Sequence, residues 1–106
     1  MHNFSLIHVT CKNKNEANYI ATILVEEKLV ACANIIDSVK SIYCYNNQVH
    51  YDNEVILILK TQSKLFDKVR LRILKIHSYE IPCIVEIKIS NGEKSFLDWI
   101  ISSTNL

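Results

Sequence analysis

The sequence contains one glycine and one proline in 106 residues, and no stretch is rich in glycine, proline or serine. Flexible linkers between domains are built from such residues, so their scarcity predicts a single domain over residues 1–106. Phosphate-binding loops are excluded as well, because they need several glycines at fixed spacing. With 49% hydrophobic residues, a chain of this length can bury one sizeable core.

The cysteines form no closely spaced pair. Cys11, Cys32, Cys44 and Cys83 are far apart, and neither a CxxC nor a CxH motif occurs. A local zinc knuckle and a thioredoxin-like redox pair are therefore excluded. The ordinary role of such isolated cysteines is that of small buried hydrophobic residues with reduced thiols.

The sequence also lacks an excess of charge of either sign, and it lacks long apolar runs. Twelve Lys and Arg residues balance eleven Asp and Glu residues, so neither a nucleic acid nor a membrane surface is an expected partner. The longest apolar run, residues 55–59, is far shorter than the ~20 residues that cross a bilayer. The first residues lack the pattern of a secretory signal, and we therefore expect a cytoplasmic protein.

Hydrophobic patterns in the first half predict a strand, a helix and a long hairpin. Alternation over residues 5–11 predicts the first strand, and Asn13 followed by Glu16 resembles a capping box for a helix whose apolar face extends to Lys28. Residues 31–45 and 48–60 are rich in β-branched and aromatic side chains. Asn46 and Asn47 between them tolerate the positive φ of a hairpin turn.

The second half predicts a helix, a strand and a short last helix. Ser63 is a plausible N-cap for the second helix, and residues 84–89 alternate as a half-exposed strand. Residues 90–93 suggest a turn with a second capping box before the helix that contains Trp99. The order is that of an α+β, ferredoxin-like βαββαβ sandwich, in which two helices cover one face of a four-stranded antiparallel sheet.

The predicted hairpin is too long for a monomer. Its arms of about 13 to 15 residues exceed the ~21 Å of sheet that a 14-residue helix can cover. The overhanging tip is apolar and aromatic, and something must cover it. Another copy of the chain is the simplest cover, so we predict a cyclic homo-oligomer. The residues of this tip are Ile42, Tyr43, Cys44, Tyr45, Val49 and Tyr51.

Residues 77–82 (HSYEIP) form the densest polar group, in a loop between the second helix and the fourth strand. His77, Tyr79 and Glu80 either line a site there, with His77 as a metal ligand or proton carrier, or simply end the helix in solvent. No nucleophile elbow, catalytic triad or HExxH motif is present, so we do not expect an enzyme.

Taken together, five segments resemble the CutA family of divalent-cation tolerance proteins. Their order and spacing match the family over nearly the whole chain: residues 31–35 (ACANI), 43–45 (YCY), 58–61 (ILKT), 77–82 (HSYEIP) and 96–100 (FLDWI). The resemblance implies a ferredoxin-like homotrimer linked to tolerance of copper and other divalent metals. It also implies a cleft between subunits that is lined by Lys60, Glu54, Tyr79, Trp99 and Tyr43, together with Cys32 and His77.

The sequence departs from the family at three places: the hairpin, the residue after His77 and the proposed copper ligands. Its hairpin lacks the usual tryptophan and glycine, and Ser78 replaces the usual proline after His77. In the family members that are proposed to bind copper, the candidate ligands are a cysteine on the first strand and two adjacent histidines. Val9, Ile76 and His77 stand at those positions here, while Cys11 lies on the same strand face as Val9.

Our leading hypothesis is a cytoplasmic homotrimer that binds copper or another divalent metal. Sulfur and imidazole ligands from Cys11, Cys32 and His77 suit copper or zinc better than magnesium. Two other classes stay open. The first is a trimeric PII-like signalling module that binds a small anion or metabolite through Lys60, and the second is a passive interaction scaffold.

Overall fold

The computed structural model describes residues 2–105, which form four strands and three α-helices. A 3₁₀ turn at residues 63–65 precedes the second helix. In chain order the elements are β1 (Phe4–Cys11), α1 (Lys14–Glu26), β2 (Cys32–Tyr45), β3 (Gln48–Gln62), α2 (Phe66–Ile76), β4 (Ile84–Ile89) and α3 (Lys94–Ser103).

The strands form one antiparallel sheet in the order β2-β3-β1-β4. This order and the βαββαβ sequence of elements confirm the predicted ferredoxin-like α+β fold. Alternate residues of β1 and β3 point toward α1 and α2, and form the main core. The fully buried large side chains of this core are Ile7, Val9, Ile20, Leu24, Val30, Leu57, Leu59, Val69 and Ile73.

The other side of the sheet, here called the open face, carries no helix over its centre. It consists of the alternate residues that point away from the core, and several of them are apolar. Ile36, Val85 and Ile87 are each about half exposed, at 50%, 50% and 48%. The strand β4 is half exposed, as predicted, but its apolar Val85 and Ile87 are the exposed residues of the alternation, whereas Glu86 is only partly exposed.

The hairpin of β2 and β3 extends beyond the rest of the sheet. Residues 55–62 of β3 pair with β1, whereas residues 48–54 pair with β2 alone. Asn46 and Asn47 have φ values of 52° and 61°, which are the positive values of a type I′ turn. Each predicted residue of the tip is exposed in the single chain: Ile42, Tyr43, Cys44, Tyr45, Val49 and Tyr51.

A β-bulge in β2 reverses which side chains face the open side. The register shifts by one residue between Ile36 and Val39, and Ser38 adopts a φ of 60°. Before the bulge, the even-numbered residues of β2 lie on the open face. After it, odd-numbered residues do so, because side chains alternate with a period of two. Tyr43 and Tyr45 therefore lie on the open side together with Glu54.

Three predicted helix boundaries are wrong. The first helix ends at Glu26, since Lys28 turns away with a φ of 59° rather than continuing the apolar face. Ser63 is no N-cap, because its hydroxyl is hydrogen bonded to Ser5 and α2 begins three residues later. Finally, α3 begins after Glu93 without a side-chain cap.

The last helix closes the end of the sheet opposite the hairpin tip. Ile100 of α3 is fully buried against Phe4 and Ala31, in a small second core. Among residues 2–105, no helix is long and apolar enough to cross a membrane.

Candidate functional site

Three side chains with metal-binding atoms meet at the end of the core nearest the hairpin. Cys11 ends β1, Glu16 lies in the first turn of α1, and His77 follows the last residue of α2. One donor atom from each lies within 4.8 Å of the other two. We call these three residues the buried cluster, because Cys11 is 0% and Glu16 only 9% exposed, and the side chain of His77 is 0% exposed.

Hydrogen bonds fix the tautomer of His77. Its Nε2 lies 2.8 Å from the carbonyl oxygen of Thr10, which can only accept, so Nε2 carries the proton. Its Nδ1 accepts a hydrogen bond from the backbone N–H of Tyr79 at 3.0 Å. The ring is therefore neutral, and its 4.0 Å approach to Glu16 is no ion pair.

Cys11 and Glu16 hold opposite protonation states. Burial and the charges of Glu16 and Glu54 raise the pKa of the Cys11 thiol to about 12, so it is protonated at neutral pH. Burial raises the pKa of Glu16, but hydrogen bonds from Ser78 and from the backbone N–H of Lys12 outweigh it and hold the pKa below its usual value. Glu16 is thus a carboxylate.

This carboxylate predicts a pH-dependent contribution to stability. Because its pKa is lowered in the folded state, the contribution is present above the unfolded pKa of 4.5 and is lost as the pH falls through the folded pKa. We expect Glu16→Gln to cost about 1.5–3 kcal/mol at pH 7, the worth of hydrogen bonds to a charged group, and less at pH 3. Urea unfolding at both pH values measures this. An equal cost at both would contradict the assignment, and Glu26→Gln, exposed on the same helix, is the control.

A cavity of about 690 Å³ borders the buried cluster. Its carboxylates are Asp52, Glu54 and Glu80, and none of its lining residues is cationic, so we call it the acidic cavity. Thr10 and Ser78 belong both to its lining and to the hydrogen bonds of the cluster. The lining comprises Thr10, Ser41, Tyr43, Tyr45, Asp52, Glu54, Ser78, Tyr79, Glu80, Ile81 and Cys83.

Two tyrosines of the acidic cavity are tied to its carboxylates. Tyr79 donates its hydroxyl hydrogen bond to Glu54 at 2.5 Å, and Tyr43 donates to Asp52. Burial and the Glu54 carboxylate raise the pKa of Tyr79, and the hydrogen bond to Asp52 raises that of Tyr43. Both tyrosines are therefore neutral donors that hold the two carboxylates in place.

The other predicted residues lie near the opposite end of the hairpin arms, and we call Cys32, Lys60 and Trp99 the distal group. Cys32 pairs with Lys60 across the sheet, and the Lys60 Nζ donates to Asn34 at 2.7 Å. The same ammonium lies 5.9 Å from the centre of the Phe96 ring. Trp99, which is 43% exposed, lies beside Phe96 with the two ring centroids 5.5 Å apart and the rings tilted by 34°.

The structure thus divides the predicted site residues into three groups. Cys11 and His77 meet in the buried cluster, and Glu54, Tyr79 and Tyr43 meet in the acidic cavity. Cys32 does not join Cys11 within one chain. On β3, Cys32 pairs with Lys60, and Cys11 pairs with Val55. These two positions of β3 are five residues apart, which is roughly 17 Å along a strand.

Sequence reasoning missed the carboxylates that complete these groups. The sequence predicts Glu16 only as a capping residue, although its position next to the core-facing Ala17 is a usable signal for burial. Its side chain does reach back, but to the N–H of Lys12 rather than that of Asn13. Asp52 lies two residues from Glu54 on β3 and therefore on the same face, which was a usable signal, whereas the bulge in β2 brings Tyr43 to that face.

Comparison with known proteins gives one family. The family model described as CutA1 divalent ion tolerance protein matches residues 5–103. The divalent-cation tolerance protein CutA of Archaeoglobus fulgidus is 43% identical over 100 residues, which cover 94% of this chain and 95% of that protein. The corresponding protein of Thermus thermophilus is 36% identical and covers 93% and 96%.

Solved structures agree with the sequence match. The crystal structure of the divalent ion tolerance protein CutA1 from Ehrlichia chaffeensis superposes with a TM-score of 0.94 at 36% identity, over 100% of this chain and 99% of that one. The structure described as the periplasmic divalent cation tolerance protein CutA from Archaeoglobus fulgidus gives a TM-score of 0.90 at 42% identity, over 97% and 98%. These similarities are strong over the full length of both chains.

Proposed function

Since the chain belongs to the CutA1 family of divalent ion tolerance proteins, we propose that it is a homotrimer that binds copper or another divalent cation at Cys11, Glu16 and His77. The convergence of one sulfur, one oxygen and one nitrogen donor within 4.8 Å carries this proposal. The cation is the cargo of the protein, and binding withholds it from other molecules.

The donor set fits such a cargo. Sulfur and imidazole nitrogen favour copper and zinc, and a carboxylate supplies the charge that these cations need. The acidic cavity beside the cluster attracts cations through Asp52, Glu54 and Glu80, and its walls hold no opposing ammonium or guanidinium group. Cations therefore concentrate next to the cluster.

Binding requires two changes in the buried cluster. Cys11 must lose its proton, because the thiolate is the ligand form, and the Nδ1 of His77 must give up the hydrogen bond from Tyr79. Glu16 is already ionised and His77 is already neutral. We therefore expect one proton to be released for each Zn²⁺ bound, so that the affinity rises about tenfold per pH unit near neutrality.

Calorimetric titration with Zn²⁺ or Cu²⁺ at several pH values tests the proposal. In wild type the cation should also raise the melting temperature, since it binds the folded form. Cys11→Ala should lose both the binding and the pH dependence. Cys44→Ala, at an exposed position of the hairpin tip, is the matched control and should keep them. Equal binding by the two variants would refute the proposed site.

The homotrimer rests on two exposed apolar surfaces. Ile36, Val85 and Ile87 of the open face are about half exposed, and Ile42 and Tyr51 of the hairpin tip are 62% and 66% exposed. Surfaces of this kind are covered in soluble proteins. A tip that reaches past its own sheet covers a neighbour, and repeating that contact closes a ring.

In this assembly the distal group of one copy can face the acidic cavity of another, which forms the predicted cleft. Cys32 can then approach a second chain's cluster, although it cannot do so in its own. The proposed role is binding without catalysis, and the protonated thiol of Cys11, a poor nucleophile, agrees with it. The cytoplasm, where thiols stay reduced, is the location we propose, although the Archaeoglobus relative is described as periplasmic.

The PII-like alternative depends on Lys60, which has no ion-pair partner among residues 2–105. An anion at the distal group would be held by its ammonium, away from the three carboxylates of the acidic cavity. Loss of a metabolite-induced rise in melting temperature in Lys60→Ala, with retention in Cys11→Ala, would favour this alternative over metal binding.

A further inference from the structure

A histidine and a cysteine meet on the open face, away from the buried cluster. His8 lies on β1 opposite Val85 of β4, and Cys83 precedes Val85 by two residues, so both side chains point to the same side of the sheet. The Nδ1 of His8 is 3.7 Å from the Sγ of Cys83. We call these two residues the open-face pair. Cys11 points to the opposite side of β1, so the pair shares no ligand with the buried cluster.

The separation of these two atoms suits a metal ion held between them. With bonds of about 2.3 Å to sulfur and 2.0 Å to nitrogen, an ion holds its ligand atoms about 3.5 Å apart at a tetrahedral angle and about 4.3 Å apart in a straight line. The observed 3.7 Å lies within this range. Cys83 is exposed, so its sulfur can adjust its position without disturbing the core.

A cation at this position replaces a proton. Without a metal, the contact is a hydrogen bond whose single proton lies either on the sulfur or on the nitrogen that faces it. Both arrangements contain the same number of protons. Binding of a cation to both atoms therefore releases one proton in either case.

The surroundings of the pair favour a cation over nucleophilic chemistry. Cys83 also lines the acidic cavity, whose carboxylates belong to Asp52, Glu54 and Glu80. Their negative charge concentrates cations beside the sulfur. The same charge disfavours the free thiolate, on which nucleophilic and redox reactions of a cysteine depend.

The number of ligands specifies the kind of cation. Among residues 2–105, the buried cluster is the one place where three donor atoms of histidine, cysteine or carboxylate side chains come together, so the open-face pair has no third such ligand. Zinc takes four ligands in structural sites, and three of them come from the protein in catalytic sites. The soft monovalent ion Cu(I) is stable with two ligands, and it favours thiolate sulfur.

We propose that the open-face pair binds Cu(I), with the thiolate of Cys83 and the Nδ1 of His8 as its two ligands. The ion enters through the acidic cavity and displaces the shared proton into solvent. Copper stays in its +1 state, so no electron is transferred. Ile58 and Val85 flank His8 on the two neighbouring strands and offer no competing donor. The site does not depend on the buried cluster, which is proposed to take divalent cations.

Anaerobic titration of the Cys11→Ala variant with Cu(I) tests the proposal, because this variant lacks the sulfur of the buried cluster. In competition with a chromophoric Cu(I) chelator, it should take up one Cu(I) per chain and release one proton. Adding Cys83→Ala or His8→Gln should weaken the binding at least tenfold, since even residues that merely orient a metal ligand contribute about 10- to 100-fold to affinity. Adding Cys44→Ala, which removes the other exposed cysteine, is the matched control and should change nothing.

X-ray absorption at the copper edge should show one sulfur and one nitrogen ligand in the loaded Cys11→Ala variant. An unchanged affinity after His8→Gln would overturn the proposal, because a thiol alone would then bind the ion. An equal loss after Cys44→Ala would overturn it as well, and so would the absence of uptake by Cys11→Ala that circular dichroism shows to be folded. None of these results bears on the divalent site, which Cys11→Ala already lacks.

Discussion

Ile87→Asp is expected to convert the proposed homotrimer into monomers. Ile87 lies on β4, opposite Leu6 on the open face, and is 48% exposed in the single chain. If other copies cover this face, the aspartate must be buried without a partner, which costs several kcal/mol for each charge. A closed trimer repeats this cost at each of its three equivalent interfaces.

Light scattering on the purified protein at micromolar concentration measures the change directly. Wild type should have about three times the mass of one 12.3 kDa chain, and Ile87→Asp about one chain's mass. The control is Leu71→Asp, at a position 52% exposed on the solvent side of α2, which should remain trimeric. An unchanged mass for Ile87→Asp would place the interface elsewhere, and a monomeric wild type would remove the cleft.

The order of the elements was predictable because apolar residues recur in this sequence with the regular spacing of strands or of helices. Alternation over β1 and helical spacing in α1 each bury one face, β4 alternates without a buried residue, and Asn46 and Asn47 supply the turn. The helix ends were less predictable. Ser63 is chemically a good cap, but the tertiary contact with Ser5 uses its hydroxyl, and no local pattern reveals that contact.

The β-bulge marks the limit of prediction for the site. Reading β2 as a regular strand places Cys32, Asn34 and Ile36 on one face and Tyr43 on the other. The extra residue near Ser38 brings Tyr43 to the same open side, where it meets Asp52. Asp37 does hint at the irregularity, since its side chain accepts a hydrogen bond from the N–H of Ser38.

The buried cluster was predictable in part. Cys11 and His77 were recognised as donors by their chemistry, but their distance along the chain gave no information on their separation in space. The antiparallel pairing of β1 with β3 and the return of α2 bring them together. Glu16 completes the set because the start of α1 lies directly beside the end of β1, which is a consequence of the two-residue connection between them.

His77→Ala is expected to destabilise the protein even without any metal, by about 2–4 kcal/mol. The imidazole bonds two backbone groups, the carbonyl of Thr10 and the N–H of Tyr79, from a side chain that is itself 0% exposed. Removing it leaves both groups without this partner, and each shielded group left unpaired costs about 1–3 kcal/mol. This is a large fraction of the ~5–15 kcal/mol that stabilises an ordinary domain.

Urea unfolding in the presence of a chelator isolates this structural role from metal binding. Glu80→Ala, at an exposed position of the same loop, is the control and should change stability by less than about 0.5 kcal/mol. Cys11→Ala should lose metal binding at a smaller cost, because the thiol holds no backbone group. If His77→Ala were as stable as wild type without metal, the two ring nitrogens would not be engaged as described, and His77 would be free to act as a ligand alone.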